Sequence, residues 1–532
     1  MKFVYALLLT TIVLWVSYVP AQVPKTPARR IIHIEHADSS IGNVAKYGKN
    51  VQVLMGNVRF RHENTLMYCD SAYFQRDSNK MDAYGSVHIV QNDSIHLYGK
   101  ELYYYGNEDM AKVRKDVRLV NKESVLTTEY LDYDRRNDVA YYFNDGKITN
   151  SDNVLVSSWG YYFPKTEMAQ FRDSVVVTNP DYTMYSDTLL YFTQTEIVKI
   201  AGATTILSEQ NTIYSEAGFY DTKKDIARLE KNSAVYAREQ QLYGDTIYYD
   251  RTSGFAEVFS NMEMHDTTNN IIITGNYGYY NEFTKNALAT RKAVLKQVYQ
   301  GDTLFLHADT LRTDSIPERE HRLVRAYRNV KFYRTDFQGR CDSMVYDLAD
   351  SINTLYYEPI IWSQENQMTA ETVKLYTRQN ALYKAELIND AFIISREDTV
   401  HFNQIKGKLM TGYIRDNELH RIDVDGNGQT VYYPKDDGVM IGVNRTESSN
   451  LTILLENRQI EGITTRVQPA GNLNPPLLIP LEAQRLESFR WLDEYRPKQM
   501  SDIFLHIAPP ADTTARKSSY SDYIDDVTLP VK

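Results

Sequence analysis

A repeat of about thirty residues limits what this chain can fold into. In each copy an acidic or polar residue, termed the anchor, is followed four positions later by an aromatic residue. The anchors are Asp70, Glu101, Glu129, Trp159, Asp187, Glu216, Asp245, Asn276 and Asp342, with weaker copies at Asp309 and Glu371. Such regular spacing is typical of an array in which each unit buries its apolar face against its neighbours.

The sequence between the anchors predicts β-strands. Apolar and polar residues alternate there, as in Val58-Arg59-Phe60 and at positions 117–119. A period of two places one set of side chains on each face of a sheet. The 42 tyrosines suit a half-buried pleated surface, and no helical period is evident before the C-terminal part. We therefore predict an all-β, elongated repeat domain over residues 45–435 of the 532-residue chain.

Charge argues against a nucleic-acid partner. The formal net charge is -10, and acidic and basic residues are interspersed along the chain. Binding to phosphate depends on clustered Lys and Arg, which this sequence lacks.

The N-terminus predicts export. Lys2 precedes an apolar run from Phe3 to Val16, and Val19-Pro20-Ala21 resembles a cleavage site, so residues 1–21 are expected to form a signal peptide. An uncleaved membrane anchor stays open as an alternative. Residues 22–44 would be a lead-in to the repeats.

Cys69 and Cys341 are the two cysteines of the chain. Each immediately precedes an anchor, so both should occupy equivalent positions in distant repeats. Cysteines that far apart along an array cannot bridge, because a disulfide requires Cα atoms within about 7 Å. We expect free, buried thiols.

The repeats resemble the OstA/LptA-type repeat of lipopolysaccharide transport, in the long OstA-like form of Bacteroidetes-type bacteria. The likeness is carried by Gly-Asn-Val-like strand starts, as at positions 56–58 and 85–87, and by Gly-Asp or Ala-Asp anchors, as at Gly244-Asp245 and Ala308-Asp309. The resemblance implies a β-taco, or β-jellyroll, in which bent antiparallel strands stack into an open trough that holds the acyl chains of lipopolysaccharide.

An apolar row would line this trough. Residues two and four positions after each anchor share one strand face. They are Phe74, Tyr103, Tyr105, Leu131, Tyr133, Tyr161, Phe163, Leu189, Tyr191, Ile247, Tyr249, Met344 and Tyr346. Periodicity alone favours a closed, dry core, because apolar stripes usually form core, whereas the resemblance favours a lipid groove.

The resemblance also implies partners. Lipopolysaccharide, through its lipid A acyl chains, would be the ligand. Other OstA-fold transport proteins, or further copies of this chain, would pair with the N-terminal edge strand at Val51, Val53, Val58 and Phe60. The expected location is the periplasm, in association with the inner or outer membrane.

Nothing in the sequence indicates catalysis, a metal or a cofactor. One acid per repeat is typical of a corner residue that accepts backbone N–H bonds. The stretch from Asp423 to Gly428 resembles part of a calcium loop but has Pro434 where a Glu ligand would be needed, so we interpret it as a β-turn.

The C-terminal part differs in composition. Residues 436–509 should form a cap or docking segment with a helix near 481–495, and residues 510–532 a disordered tail. Together these features predict a periplasmic bridge component that shields acyl chains during transport to the outer membrane. The alternative is an exported structural or adhesive β-solenoid without a lipid ligand.

Overall fold

The computed structural model describes residues 31–506 apart from 92–93, 151, 210, 269, 300, 317–320, 379–380, 416–417 and 457–458. The expected signal peptide and disordered tail lie outside the described residues. The chain forms two compact units, residues 1–180 and residues 181–532. Both are built from antiparallel strands with little helix, which confirms the predicted all-β fold.

Unit 1 is a ladder of long strands. Each strand from β3 to β10 pairs with the next one along the chain. The elements are β1 (His33–His36), β2 (Ser39–Ile41), α1 (Val44–Tyr47), β3 (Val51–His62), β4 (Thr65–Gln75), β5 (Lys80–Gln91), β6 (Ile95–Tyr105), β7 (Met110–Asn121), β8 (Ser124–Asp134), β9 (Val139–Asn150), β10 (Asn153–Phe163) and β11 (Met168–Thr178).

Unit 2 repeats the same scheme, with several strands interrupted at mid-length. Its strands are β12 (Tyr182–Phe192), β13 (Ile197–Ile200), β14 (Thr204–Ser208), β15 (Asn211–Ser215), β16 (Ala217–Asp221), β17 (Ile226–Ala237), β18 (Gln240–Asp250), β19 (Phe255–Asp266), β20 (Ile271–Asn281), β21 (Ala287–Tyr299), β22 (Asp302–Ile316), β23 (His321–Arg334), β24 (Phe337–Asp347), β25 (Ile352–Tyr356), β26 (Ile360–Ser363), β27 (Asn366–Thr369), β28 (Thr372–Arg378), β29 (Ala381–Arg396), β30 (Phe402–Arg415), β31 (Glu418–Tyr432), β32 (Lys435–Asp436), β33 (Val439–Met440), β34 (Val443–Glu456), β35 (Gln459–Arg466) and β36 (Ala470–Asn474).

Each long strand is bent at its middle. Phe60 pairs with Met67, and seven extended residues would place Phe74 about 23 Å further along β4. The ring centroids of Phe60 and Phe74 nevertheless lie 5.9 Å apart. The two halves of a strand therefore face each other, and the ladder has two walls with an inner face between them and an outer face on each side.

A β-bulge produces the bend. In β19, Ser260 and Asn261 have positive φ values of 62° and 50°, and these two residues oppose the single residue Asn276 of β20. Bulges of this kind, with two residues against one, bend a strand sharply. Asn and Gly tolerate the left-handed conformation that the bulge requires.

Side-chain hydrogen bonds link several corner residues, defined as the single residues opposite a bulge, to the bulge of the next strand. The Asn261 Nδ2 atom donates to Asp245 Oδ2 at 2.9 Å, and Asn329 Nδ2 donates to Asp309 Oδ2 at 2.8 Å. Asn232 with Glu216, Asn389 with Glu371 and Ser86 with Asp70 repeat this contact. The anchor acid is thus a corner residue, as predicted, but in these rungs its partner is the bulge side chain of the following strand.

Two rungs of unit 1 reverse the roles. The corner residue of β6 is Lys100, which pairs with the bulge residue Asp116 of β7. The corner residue of β10 is Ser158, whose hydroxyl donates to Asp145 at 3.0 Å. In these rungs the donor lies at the corner and the acid lies in the bulge, so the anchors assigned at Glu101 and Trp159 are wrong by one residue.

The glycine-rich motifs lie within strands. Gly56 and Asn57 form the bulge of β3, so Gly-Asn-Val marks a bend instead of a strand start. Gly426 and Asn427 likewise form the bulge of β31, which runs from Glu418 to Tyr432 without a hairpin. The β-turn predicted there is wrong, because a bulge uses the same residues with positive φ.

The predicted N-terminal edge is covered. Ile34 of β1 pairs with Phe60, and Ile41 of β2 pairs with Val53, so β3 has a neighbour on both sides. The assignment of Val51, Val53, Val58 and Phe60 as an open pairing edge is therefore wrong. Residues 33–41, predicted to belong to a lead-in, form β1 and β2, which cover the edge of β3.

The C-terminal part also differs from expectation. Strands β34 to β36 extend the ladder beyond residue 435. The predicted helix near 481–495 is replaced by two short 3-10 turns, Leu481–Gln484 and Asp493–Tyr495. Pro480 precedes the first turn, and side chains of the sheet bind backbone groups that a helix would use internally.

The corner bond is testable at Asn329, whose φ is 53°. Substituting Asn329→Ala removes the bond to Asp309 and places a strained residue in the bulge, at a cost of roughly 1–3 kcal/mol. Hydrogen exchange across residues 321–334 should accelerate. Asn329→Gly loses only the bond and should lie between the wild type and Asn329→Ala. Equal exchange in all three proteins would contradict this account.

Candidate functional site

All six of the predicted groove residues that belong to unit 2 lie on its inner face. Leu189, Ile247 and Tyr249 are buried, and Tyr191 is half-buried on the same face of its strand. Met344 and Tyr346 lie on the inner face of β24, opposite Ala326 and Val324 of β23. These six residues have the orientation that the sequence predicts.

Unit 1 follows the prediction only in part. Phe74, Leu131 and Tyr133 are on the inner face, where Leu131 pairs with the buried Tyr142. Tyr103, Tyr105, Tyr161 and Phe163, predicted to line the groove, instead lie on the outer face.

The reversal follows from the shifted corners. Because side chains alternate along a strand, an anchor misplaced by one residue moves every following side chain to the other face. In β6 the inner residues are Leu102 and Tyr104, and in β10 they are Gly160 and Tyr162. Tyr103 instead contacts Tyr84, with ring centroids 6.2 Å apart, and Tyr161 stacks with Tyr141 at 5.8 Å.

Rings fill the inner space of unit 1. The Phe60 and Phe74 rings meet across it. A Cβ atom added at Gly160 would lie 2.2 Å from the ring of Tyr142, so this glycine leaves room for the ring. The Tyr142 hydroxyl is 2.6 Å from Ser157 Oγ on the other wall.

A polar cluster bridges the opening of unit 1 between β3 and β6. The Tyr104 hydroxyl is 2.7 Å from His62 Nδ1, which lies on the opposite wall. Arg135 donates to the Tyr104 hydroxyl at 2.9 Å and forms an ion pair with Glu63 at 2.7 Å. Together these residues join the free ends of the two walls. This part of the chain matches the dry-core interpretation.

Unit 2 contains a cavity of about 800 Å³ between its walls. Its walls are mainly aliphatic, and they include Leu306, Met344, Ile361, Met368, Ile393 and Ile405. Of the predicted groove residues, Met344 and Tyr346 line it.

Polar residues surround one margin of the cavity. Arg334 pairs with Asp336 at 2.6 Å, and Lys435 pairs with Glu397. Toward the lower-numbered strands, Arg322 contacts Asp266 across the opening at 3.5 Å. The cavity thus combines an apolar interior with a charged margin.

Sequence reasoning missed most of the cavity lining, although a signal was present. The weak repeat copies place Thr313 and Leu375 where other copies have an aromatic residue. Leu375 lines the cavity, and its neighbours there include Ala385 and Gly412. Small and aliphatic inner residues leave space that rings fill elsewhere in the array.

The inner tyrosines are uncharged near neutral pH. Burial, with a hydrogen bond to Asp138, raises the pKa of Tyr133 to about 12. Burial and the nearby Glu282 likewise raise the pKa of Tyr249 to about 12, and burial raises the pKa of Tyr191. Their rings therefore contribute apolar surface.

No group of three or more His, Cys, Asp or Glu side chains within the described ranges is arranged to hold a metal ion. Across the same residues, no helix has the length and hydropathy required to span a membrane.

Comparison with known proteins identifies the family. The family model described as OstA-like protein matches residues 29–187 and 190–298, which is half of the sequence. The chain belongs to the OstA-like protein family. No match is found among curated proteins.

A comparison with solved structures finds a match to a lipopolysaccharide transport component. The LptH structure from Pseudomonas aeruginosa is described as the LptA-homologous periplasmic component of a lipopolysaccharide transport device. It shares 11% identity, covers 26% of this OstA-like chain and 99% of its own, and has a TM-score of 0.21.

Both cysteines of this OstA-like chain are free and buried, as predicted. Burial, reinforced by the negative charge of Asp70, raises the pKa of Cys69 to about 12. Burial also raises the pKa of Cys341. Neither thiol is therefore expected to react while the protein is folded.

Alkylation tests the burial of the thiols, and stability at two pH values tests their raised pKa. At pH 8 the folded protein should resist iodoacetamide, and both thiols should react after denaturation. The same burial makes stability depend on pH. Because burial raises the pKa of the Cys69 thiol in the folded protein, the stability that this thiol contributes is complete below its usual pKa of 9.0 and is lost as the pH rises toward 12. A Cys69→Ala/Cys341→Ala variant should lose less stability between pH 8 and pH 10.5. Rapid alkylation of the folded protein would contradict the burial.

Proposed function

We propose that this protein is a lipopolysaccharide-binding component of a periplasmic bridge to the outer membrane, and that the cavity of unit 2 holds acyl chains. The observation that carries this proposal is an aliphatic cavity of about 800 Å³ in an OstA-like protein. The proposed role is passive shielding, so it requires no catalytic group.

The chemistry of the cavity suits an acyl chain. Burying hydrocarbon contributes about 0.8 kcal/mol per CH₂, so ten methylenes would gain about 8 kcal/mol before the cost of ordering the chain. Leu306, Met368 and Ile405 supply apolar contact, while Arg334 and Lys435 lie at the margin, near where a charged head group would remain in water. The alternative, a structural solenoid without a ligand, does not explain why this cavity is left unfilled.

The location is proposed from the sequence. The apolar run from Phe3 to Val16 predicts export, and the family resemblance favours the periplasm. Directional movement of lipid would require energy from a partner, since an apolar cavity only shields its ligand.

Photo-crosslinking tests the ligand. A photoreactive residue at Tyr346, which lines the cavity, should label lipopolysaccharide in cells. The matched control is Val345, the adjacent residue, whose side chain points to the outer face of the same strand. Labelling should be several-fold stronger at position 346. Equal labelling at both positions, or none at 346 with a folded protein, would reject lipid binding in this cavity.

We further propose that OstA-fold partners pair with the C-terminal edge. Among the described residues, β35 pairs with β34 alone, and its side chains are largely exposed. An unpaired strand offers a row of backbone groups for strand addition. A second copy of this chain could use the same edge.

Proline tests this edge. Neighbouring N–H groups point in opposite directions, so an Ile463→Pro/Thr464→Pro variant removes the outward donor at this site, whichever residue supplies it. Copurification of transport partners should fall strongly, while hydrogen exchange in β31, which pairs with β30 and β34, stays near that of the wild type. Unchanged partner recovery would place the contact elsewhere.

A further inference from the structure

The outer face of one wall in unit 2 is covered by residues 476–505, here called the strap. The strap follows the last strand and crosses the wall from β31 toward β22. Leu486 packs with Phe392, Phe402 and Val431, and further along Leu492 packs with Trp362. Near its end the ring of Phe504 lies 4.9 Å from that of His307.

Buried glutamines of the sheet hold the strap by its backbone. Gln404 donates to the Gln484 carbonyl at 2.9 Å and accepts from the Leu486 N–H at 2.8 Å. Gln367 repeats this arrangement, donating to the Arg490 carbonyl at 2.8 Å and accepting from the Leu492 N–H at 2.7 Å.

A third glutamine binds the strap through a side chain. Gln338 accepts from Arg496 Nε at 2.8 Å, and Lys331 donates to the Leu505 carbonyl. Gln338, Gln367 and Gln404 are each at most 3% exposed. Their amides would lose buried hydrogen-bond partners if the strap moved away.

The wall under the strap is also the wall of the cavity. Ile361 lines the cavity, whereas its neighbours Ile360 and Trp362 belong to the cluster under the strap. In β29, Ile393 lines the cavity between Phe392 and Ile394, which pack against Leu486.

The glutamines show the same alternation. Gln367 and Gln404 bind the strap, and the next residues along their strands, Met368 and Ile405, line the cavity. Side chains that alternate along one backbone must move together. A shift of the strap contacts is therefore a shift of the cavity wall.

We propose that the strap is a positioning element for the cavity, with Gln367 and Gln404 as positioning residues that keep this wall at the separation an acyl chain requires. The strap crosses several strands, so it stiffens the sheet against bending about an axis parallel to the strands. Hydrogen bonds between neighbouring strands resist this bending least. Loss of the brace lets the free ends of the walls separate and weakens contact with a bound chain. The claim about ligand affinity rests on the proposed function, whereas the claim about wall separation does not.

The test compares the full-length wild type with a Gln367→Ala/Gln404→Ala variant. Gln429→Ala is the matched control, because Gln429 lies on the outer face of the same wall and bonds to Glu447 instead of the strap. Hydrogen exchange across residues 484–495 reports attachment of the strap. Spin labels on cysteines placed at the exposed positions 350 and 364, in turns at the free ends of the two walls, report the wall separation.

The double variant should show faster exchange in the strap, a longer or broader label distance, and lipopolysaccharide affinity lowered about 3- to 10-fold. Gln429→Ala should match the wild type in all three measurements. A loosened strap with unchanged label distance would overturn the proposal. A wild type that binds no lipopolysaccharide would refute the proposed function, and the label distances would still decide the role of the strap.

A second variant covers the case in which the two substitutions leave the strap attached. A site-specific protease sequence inserted after Leu478, which is 76% exposed, allows the strap to be cut after the protein has folded. Cutting and removing the strap should widen the label distance. An unchanged distance in the cut protein would likewise overturn the proposal.

Discussion

The hydrogen bond between a corner residue and the bulge of the next strand is the contact on which the rest of the fold depends. A flat sheet of these strands would leave its apolar face in water, because this face has no other element to cover it. The bulge of one strand, as in Ser260 and Asn261, bends that strand and the strands paired with it, so that the two halves of each strand cover one another. Each exposed bond, such as that from Asn261 to Asp245, contributes only about 1 kcal/mol, but paired strands must bend together, so the contributions reinforce each other.

The same contact explains what the sequence predicts well and where it fails. An acid at the corner fixes the register, and the inner positions of Leu189 and Ile247 follow from Asp187 and Asp245. Donor and acceptor can exchange places with no change in the bend, as Lys100 and Asp116 show. A search for acids then selects the adjacent Glu101, and period-two alternation carries the error to Tyr103 and Tyr105. The exchange of donor and acceptor leaves the bend unchanged, but it removes the acid from the corner position that the sequence repeat uses.

Contacts between distant segments were beyond local reasoning for a different reason. In the sequence, Gln367 is indistinguishable from an ordinary polar residue on an outer face. Its hydrogen bonds to Arg490 and Leu492 join positions more than a hundred residues apart. Apolar spacing around Leu486 and Leu492 predicts a helix. The segment instead remains extended between short turns, because buried glutamines take up its backbone groups and the sheet takes up its apolar side chains.

The cavity and the strap are linked through packing. In unit 1 the inner face is filled by rings such as Phe60, Phe74 and Tyr142, so each wall is stabilised by the other. Around the cavity the inner residues are smaller, and each wall loses the contacts that a facing ring would provide. The outer face supplies replacements, since Trp362, Phe392 and Phe402 are buried under the strap. A sheet with an unfilled space on one side needs packing on its other side. The strap provides this packing on the wall behind the cavity.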